Sequence, residues 1–466
     1  ALALLLRHGC IPAPHSIYAG IAKLAPGTLL TLVPDRPGAA PDLRPFWRLE
    51  NVVEAGLSRP FAGTADEAVE TLDGLLAEAV RLRMVSDVPL GAFLSGGIDS
   101  SMVVALMQAH SDRPVKTFSI GSHDPIFDEA PQAREVARHL GTDHTELYVT
   151  ERDALDVVPE LPAVYGEPFA DSSQIPTLLV SRLTRKSVTV ALSGDGGDEL
   201  FGGYNRHVWG PAVWRRGRRL PRAARGALAR SLTLLSETAW DRAFRAAGPL
   251  LPGRARHRMP GHKLHKLARV LPEDSPGGLY RALVSAWSRP GDVVGADEPE
   301  TPLTAPRRWR APIGTAEQMM FLDAAWYLPD DILVKVDRAA MAVSLETRIP
   351  FLDPHVIGFA WSLPLALKIR DGRGKWVLRR VLDRYVPKPL VDRPKAGFGV
   401  PIGDWLRGPL RPWAEALLDP RRLASEAYLD PAPIRERWAQ HLSGRRNWHD
   451  SLWSVLMFQA WLETRP

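Results

Sequence analysis

The residues best suited to chemistry sit in two glycine-rich loops. The first is Ser95-Gly96-Gly97-Ile98-Asp99-Ser100-Ser101. Its glycines let the backbone curl so that successive N–H groups converge on an anion. A helix starting behind the loop would add its positive end. Ser95, Ser100 and Ser101 contribute hydroxyl donors, and Asp99 offers an oxygen ligand for magnesium. Such a set suits a pyrophosphate. The loop is not the phosphate loop of kinases and GTPases, because Gly-x-x-x-x-Gly-Lys-Ser/Thr does not occur. The second loop, Leu192 to Tyr204, packs five glycines and three carboxylates (Asp195, Asp198, Glu199) into one short stretch. Crowded carboxylates repel one another unless a cation neutralises them, and magnesium is the simplest cation to do so. A bare strand-to-helix turn or a solvated acidic turn is the plainer alternative. The apolar run before each loop argues against it.

Loops of this kind need a scaffold, and the pattern around them supplies one. Val88–Leu94 reads as a strand, Asp99–Ala109 as a helix, Val115–Ile120 as a strand and Asp128–Leu140 as a helix. Thr145–Val149 and Val188–Leu192 read as further strands, with a helix near Asp153–Val164. Strands separated by helices of about 10–15 residues point to parallel βαβ units. In such sheets ligands gather at the carboxyl ends of the strands, where both loops fall. The fold class is therefore α/β, and after about residue 205 the chain reads as mostly helical, ending in Leu452–Leu462. Before the sheet, Thr64-Ala65-Asp66-Glu67 forms a capping box. Val69, Leu72, Leu76, Ala79 and Val80 follow it as a buried helical stripe. Residues 44–63, with Pro45, Gly56, Pro60 and Gly63, read as a linker.

Composition narrows the class. The 466 residues are 45% apolar and 24% charged, within the globular range. No run approaches the ~20 apolar residues of a membrane span. Ala1–Leu6 reads as the tail of a core helix, not a signal peptide. A single cysteine, Cys10, excludes an internal disulfide framework and a Cys-rich metal site, and makes the cytoplasm the expected compartment. The net charge of +6 goes with an Arg-rich stretch from Arg206 to Arg269. Without interleaved aromatics it reads as a solvated helical surface, and nucleic acid is not an expected partner.

Further blocks give the chain a family likeness. They are Lys335-Val336-Asp337-Arg338, the run Ser344 to Asp353, and Arg393-Pro394-Lys395-Ala396-Gly397-Phe398. With the two loops they resemble the glutamine-hydrolysing asparagine synthetase family of class II amidotransferases, over essentially the whole chain. The resemblance implies a Rossmann-like ATP pyrophosphatase domain of the adenine nucleotide alpha hydrolase kind over residues 64–466. It also implies that residues 1–43 are the tail of an N-terminal nucleophile glutaminase domain, with residues 44–63 between. Cys10 then lies in the exit segment, as a small core residue and not a thiol nucleophile. The glutamine-binding residues are expected upstream of this chain.

By the same resemblance ATP and Mg²⁺ are the cofactors. Asp99 and Asp198 would be magnesium ligands, and Leu94, Ile120, Ser193 and Gly194 would line the adenosine site, with Ser95, Gly96, Gly97, Ser100 and Ser101 at the phosphates. Lys395 would neutralise charge developing on the phosphates. Asp195 stands where many relatives carry a glutamate proposed to assist ammonia attack. Glu346 is a second acidic candidate, with pairing to Arg348 or Arg338 as its alternative role. The implied reaction adenylates the side-chain carboxylate of aspartate and transfers ammonia, from glutamine in the intact protein, giving asparagine, AMP and pyrophosphate. Relatives with the same blocks amidate sugar acids of surface polysaccharides or close rings in natural products, so the acceptor stays open. A tRNA-modifying ATP pyrophosphatase is the alternative from another class. No membrane partner is expected, and a homodimer is compatible with the sequence.

Overall fold

Alternation of short apolar strands with amphipathic helices produces a parallel sheet. The computed structural model describes residues 1–33, 40–123, 128–247, 260–301, 303–304, 313–392 and 399–465. Near the N-terminus an antiparallel pair forms from β1 (Thr28–Thr31) and β2 (Asp42–Pro45). The main sheet contains β3 (Leu90–Phe93), β4 (Lys116–Ser122), β5 (Asp143–Val149), β6 (Val190–Leu192) and β7 (Glu346–Arg348). Their order is β5-β4-β3-β6-β7 and every pairing is parallel. The chain winds outward from β3 through β4 to β5, then returns to place β6 on the other side of β3. The winding direction thus reverses between β3 and β6, and ligands bind at such switch points. The two glycine-rich loops leave these two strands.

Helices cover the sheet. Four of them precede or follow β3: α1 (Leu2–His8), α2 (Leu49–Ser58), α3 (Ala65–Arg83) and α4 (Ile98–Ala109). The start of α3 is fixed by its capping box, in which Glu67 N donates to Thr64 Oγ1 at 3.2 Å and Thr64 N to Glu67 Oε2 at 2.6 Å. Val69, Leu72, Leu76, Ala79 and Val80 are buried, as the periodicity predicts. The C-terminal part is helical and ends in a buried helix over His449–Glu463.

Two expectations need correction, and one strand is unforeseen. Residues 44–63 are not a plain linker: α2 lies there, and Gly56 packs so closely that a Cβ would stand 2.6 Å from the carbonyl carbon of Trp361. The stretch Asp153–Val164 is not one helix. It breaks into Glu151–Asp156, a 3₁₀ turn at Val158–Glu160 and Leu161–Tyr165, because Pro159 and Pro162 lack the N–H that a continuous helix uses. Strand β7 carries no apolar run, and its pairing with β6 (Val190↔Glu346) defines it.

The N-terminal residues divide into a threaded part and an exposed part. Helix α1 and Cys10 are buried. Ala170 N donates to Gly9 O at 2.7 Å, Ala286 N to Arg7 O at 2.7 Å, and Ala13 N to Asp330 Oδ1 at 3.0 Å. Beyond them Ile21, Leu24, Leu29, Leu32, Leu43 and Phe46 are exposed. Asp330 allows a test of how the threaded part is anchored. Burial pushes its carboxyl up from 3.8 to about 6, with the Ala13 N–H and Lys23 working the other way. Between those values the folded chain holds the proton more tightly than the unfolded one, so stability falls as pH rises through the window. Asp330→Asn keeps the acceptor oxygen and removes that slope. Denaturant unfolding at stepped pH should show the variant gaining on the wild type from pH 4 to pH 6, by at most about 3 kcal/mol. A pH-independent difference would contradict the assignment.

Candidate active site

At the end of β3 the Leu94 N–H donates to Phe118 O at 2.9 Å, so the first loop starts from a fixed point. The loop then closes on itself. Ser95 N donates to Ser100 Oγ at 3.2 Å, the two hydroxyls stand 3.0 Å apart, and Gly97 N donates to Ser95 Oγ at 3.3 Å. At the end of β6, Ser193 N donates to Arg348 O at 2.9 Å, and Ser193 Oγ donates to Asp195 Oδ2 at 2.6 Å. The loops lie directly on each other, and the glycines of the second allow it. A Cβ on Gly194 would stand 2.7 Å from Ser100 N, and one on Gly197 would stand 2.7 Å from Asp99 Cγ.

This contact brings Asp99 and Asp198 to a common point, occupied by the ammonium of Lys375. Its Nζ lies 2.6 Å from Asp198 Oδ1 and also bonds Asp99 Oδ2. Lys375 is buried and has φ of +62°, a left-handed conformation uncommon outside glycine and characteristic of functional positions. Burial works against its charge, but Asp198 and Asp99 more than offset it and hold the ammonium above the ordinary lysine range. Next to Asp198, Glu199 is fully buried and accepts from Tyr204 OH at 2.5 Å. Burial and the Asp198 charge push its carboxyl up.

Behind Asp195 lies a second buried lysine. Lys335 Nζ donates to Asp171 Oδ2 at 2.7 Å and Ser173 Oγ at 2.8 Å. Burial disfavours its charge, and Asp171, Asp331 and Asp195 offset that. A cavity of about 340 Å³ opens at the carboxyl end of β4, lined by Ile120, Gly121, Leu179, Val400 and Trp405 among others.

The structure gathers most of the sequence candidates. Ser95, Gly96, Gly97, Asp99, Ser100, Ser193, Gly194, Asp195 and Asp198 share the two-loop face, with Leu94 buried beneath it and Ile120 in the neighbouring cavity. Ser101 is fully buried in α4 and offers no surface to a ligand. Glu346 does not join the site. It pairs with Val190 at the start of β6, not at the end from which the loop leaves. Its carboxylate is exposed and bonds Arg348 Nε at 2.6 Å. Lys395 and its block lie outside the described residues. Lys375 is missed by the sequence reading and Lys335 enters it only as part of its block, since a lysine's type says little without its partners.

Among the described residues no group of three or more His, Cys, Asp and Glu side chains could hold a metal by itself. Two converging carboxylates are nevertheless the set that magnesium takes when nucleotide phosphates complete its shell. Asp99 and Asp198 would hold it. Lys375→Met should remove the counter-charge that two facing carboxylates share and destabilise the chain by about 3–5 kcal/mol. Magnesium should restore part of the loss by binding the folded state. Unfolding of the variant in MgCl₂ against NaCl of equal ionic strength measures this. An equal response in wild type and variant would contradict the pairing.

Residues 71–463 match the family described as asparagine synthase. The chain is 28% identical over 456 residues to asparagine synthetase [glutamine-hydrolyzing] 1 of Bacillus subtilis, covering 97% of this chain and 66% of that protein. It is 33% identical over 457 residues to a putative asparagine synthetase [glutamine-hydrolyzing] of Mycobacterium bovis, covering 97% and 65%. It is 27% identical over 460 residues to the amidase chyE of Penicillium rubens, covering 89% and 64%. The chain therefore spans slightly less than two thirds of the length of these relatives. No helix among the described residues is long and apolar enough to cross a membrane. With a family match that runs through both loops, β7 and the C-terminal helices, the chain belongs to the asparagine synthase family.

Proposed function

We propose that the chain adenylates a carboxylic acid with ATP and passes the acyl group to ammonia. The observation that carries this reading is the direct stacking of a hydroxyl-rich loop on a carboxylate loop at the switch point of the sheet. The N–H groups and hydroxyls of Ser95–Ser100 hold the leaving pyrophosphate, helped by the N-terminus of α4. Magnesium, when bound, supplies charge neutralisation for the phosphates. Lys375 stands where it can move from the carboxylates to the phosphates once the metal takes its place, so the site carries a positive charge in either state. The apolar cavity at Ile120 takes the adenine. The acid's oxygen bonds the α-phosphorus as the bond to the pyrophosphate oxygen breaks. Ammonia then bonds the acyl carbon as AMP leaves, and the nitrogen gives up a proton. We assign that proton to Asp195, whose Oδ2 accepts from Ser193 Oγ.

Aspartate is the first acceptor to test, on the names of the bacterial relatives. A second reading, amidation of another acid, has the similar identity to a fungal amidase in its favour. We assign residues 1–43 to the tail of an upstream glutaminase domain. The exposed apolar side chains of β1, β2 and their surroundings support it, since so many large apolar side chains left to water in one segment are expected to face another body.

Pyrophosphate and AMP should form from ATP, Mg²⁺ and ammonium when aspartate is added, with asparagine as product. Asp198→Ala and Asp99→Ala should each lower the rate on the order of 10²-fold or more. AMP formation that ignores every added acid would sink the reading. A rate unchanged in both variants would do the same.

A further inference from the structure

The positive charge of the chain is concentrated in one stretch. Between Asn205 and Ala247 stand ten arginines against two acids, Glu237 and Asp241, a net +8 where the whole chain is +6, so the other residues together are negative. Three helices lie within the stretch, Asn205–Gly217, Arg222–Leu234 and Glu237–Ala247. Arg215, Arg216, Arg218, Arg219, Arg230 and Arg245 are exposed, and none of them makes an ion pair among the described residues. Arg222 differs, standing 3.2 Å from Asp274.

The middle helix turns a charge inward and leucines outward. Arg225 is buried: its Nη1 donates to Leu271 O at 3.1 Å and to Glu273 O, and its Nη2 to Asp274 Oδ1 at 2.7 Å. Ala229, packed with Ala268 and Leu271, fills the same side. At about 3.6 residues per turn, Ala223, Ala224, Ala227, Leu228, Ser231 and Leu234 fall together on the other side. All six are exposed, and the sector they form holds no charge, with Arg230 at its border. Leu234 is 83% exposed and Leu228 41%, and Leu220 and Leu235 are exposed just beyond the two ends of the helix. The stretch that reads in sequence as a solvated helical surface therefore carries an apolar ridge with an arginine rim. Leucines left to water along one ridge mark a surface that meets another body.

We infer that this ridge docks on an anionic membrane surface, with its leucines in the headgroup region and its arginines at the lipid phosphates. The inference stands apart from the adenylation reading. Long arginine side chains keep their guanidinium groups at the phosphates while neighbouring leucines go deeper. A helix on the outside of the fold is convex, and neither cavity is lined by this one. The anchors of a protein partner need pockets, whereas a bilayer accepts a convex ridge. A second copy would bring like charge against like charge and be repelled. Nucleic acid would meet an uncharged ridge on a helix with no aromatic ring to stack on a base. The contact is peripheral, since no helix among the described residues is long and apolar enough to cross a membrane. It departs from the expectation of no membrane partner, because sequence alone does not tell which side of a helix the fold turns outward.

Sedimentation of the full chain with vesicles tests this, phosphatidylglycerol mixed into phosphatidylcholine set against phosphatidylcholine alone. The anionic vesicles should bind at least about tenfold more tightly, and raising salt from about 0.1 M to about 1 M should remove most of that preference. Arg218→Gln with Arg219→Gln should weaken binding on the order of tenfold or more. Arg185→Gln with Lys186→Gln removes an equal charge from another exposed site and should leave binding near wild type. Leu228→Ser with Leu234→Ser should weaken it on the order of tenfold or more, with the preference for anionic lipid kept. All these side chains face water, so the denaturant midpoints of the variants should match the wild type. Equal binding to both kinds of vesicle, or binding to neither, would overturn the proposal. So would a leucine variant that binds as the wild type does, since the contact would then be adsorption by charge alone. Double-stranded RNA or polyglutamate binding more tightly than the vesicles, and losing affinity in the same arginine variant, would assign the ridge to a soluble polyanion and overturn the proposal as well.

Discussion

Two carboxylates, each just beyond one of two neighbouring strands, face one buried ammonium, and the rest of the site is arranged around that contact. Asp99 and Asp198 could not stand so close in a poorly hydrated place without a cation between them. Lys375 provides one, at the cost of a left-handed backbone and a desolvated side chain. The second loop can reach the first because Gly194 and Gly197 lack side chains where Ser100 and Asp99 pass. A side chain on either glycine would force the loops to shift where Asp99 and Asp198 meet. The lysine is thus a structural counter-ion and, in the proposed reaction, a preformed positive charge for the phosphates.

The sheet explains why those two loops meet at all. Its winding reverses between β3 and β6, so the ends of two adjacent strands are left uncovered by crossover helices. Short strands suffice because each is pinned at its exit, Leu94 to Phe118 and Ser193 to Arg348. Behind the loops the polar groups continue in a connected set. Lys335 ties Asp171 and Ser173 to the side of the site that holds Asp195, and a π-helical stretch, Asp323–Ile332, carries Asp323 and Asp331 into the same region. A centre with this many buried charges is costly to build, and each charge has a partner or an adjoining cavity. That pattern marks a functional region more than a stabilising one.

Much of this was legible from the residues. Glycine and carboxylate density after an apolar strand located both loops, because few other contexts demand that composition. The stripe from Val69 to Val80 and its capping box located a helix almost to the residue. Other features carried no local signal. Strand β7 exists because β6 offers it an unpaired edge, a property of the assembled sheet. Glu346 looked like a site acid from its block, but it sits at the start of β7, two residues before Arg348, the residue that meets the loop. Helix α2 was hidden by its flanking prolines and glycines, and its buried Gly56 is explained only by the backbone of Trp361. Lys375 and Lys335 are lysines among many, and their partners lie more than 160 residues away in the chain.

The central claim is that the carboxylate of the acceptor bonds the α-phosphorus at the two-loop site. Oxygen transfer reports on that bond directly. Aspartate labelled with ¹⁸O in its side-chain carboxylate, turned over with ATP, Mg²⁺ and ammonium, should leave one labelled oxygen in the AMP phosphate and none in pyrophosphate. Label appearing in inorganic phosphate alongside ADP would place the attack on the γ-phosphorus and contradict the account.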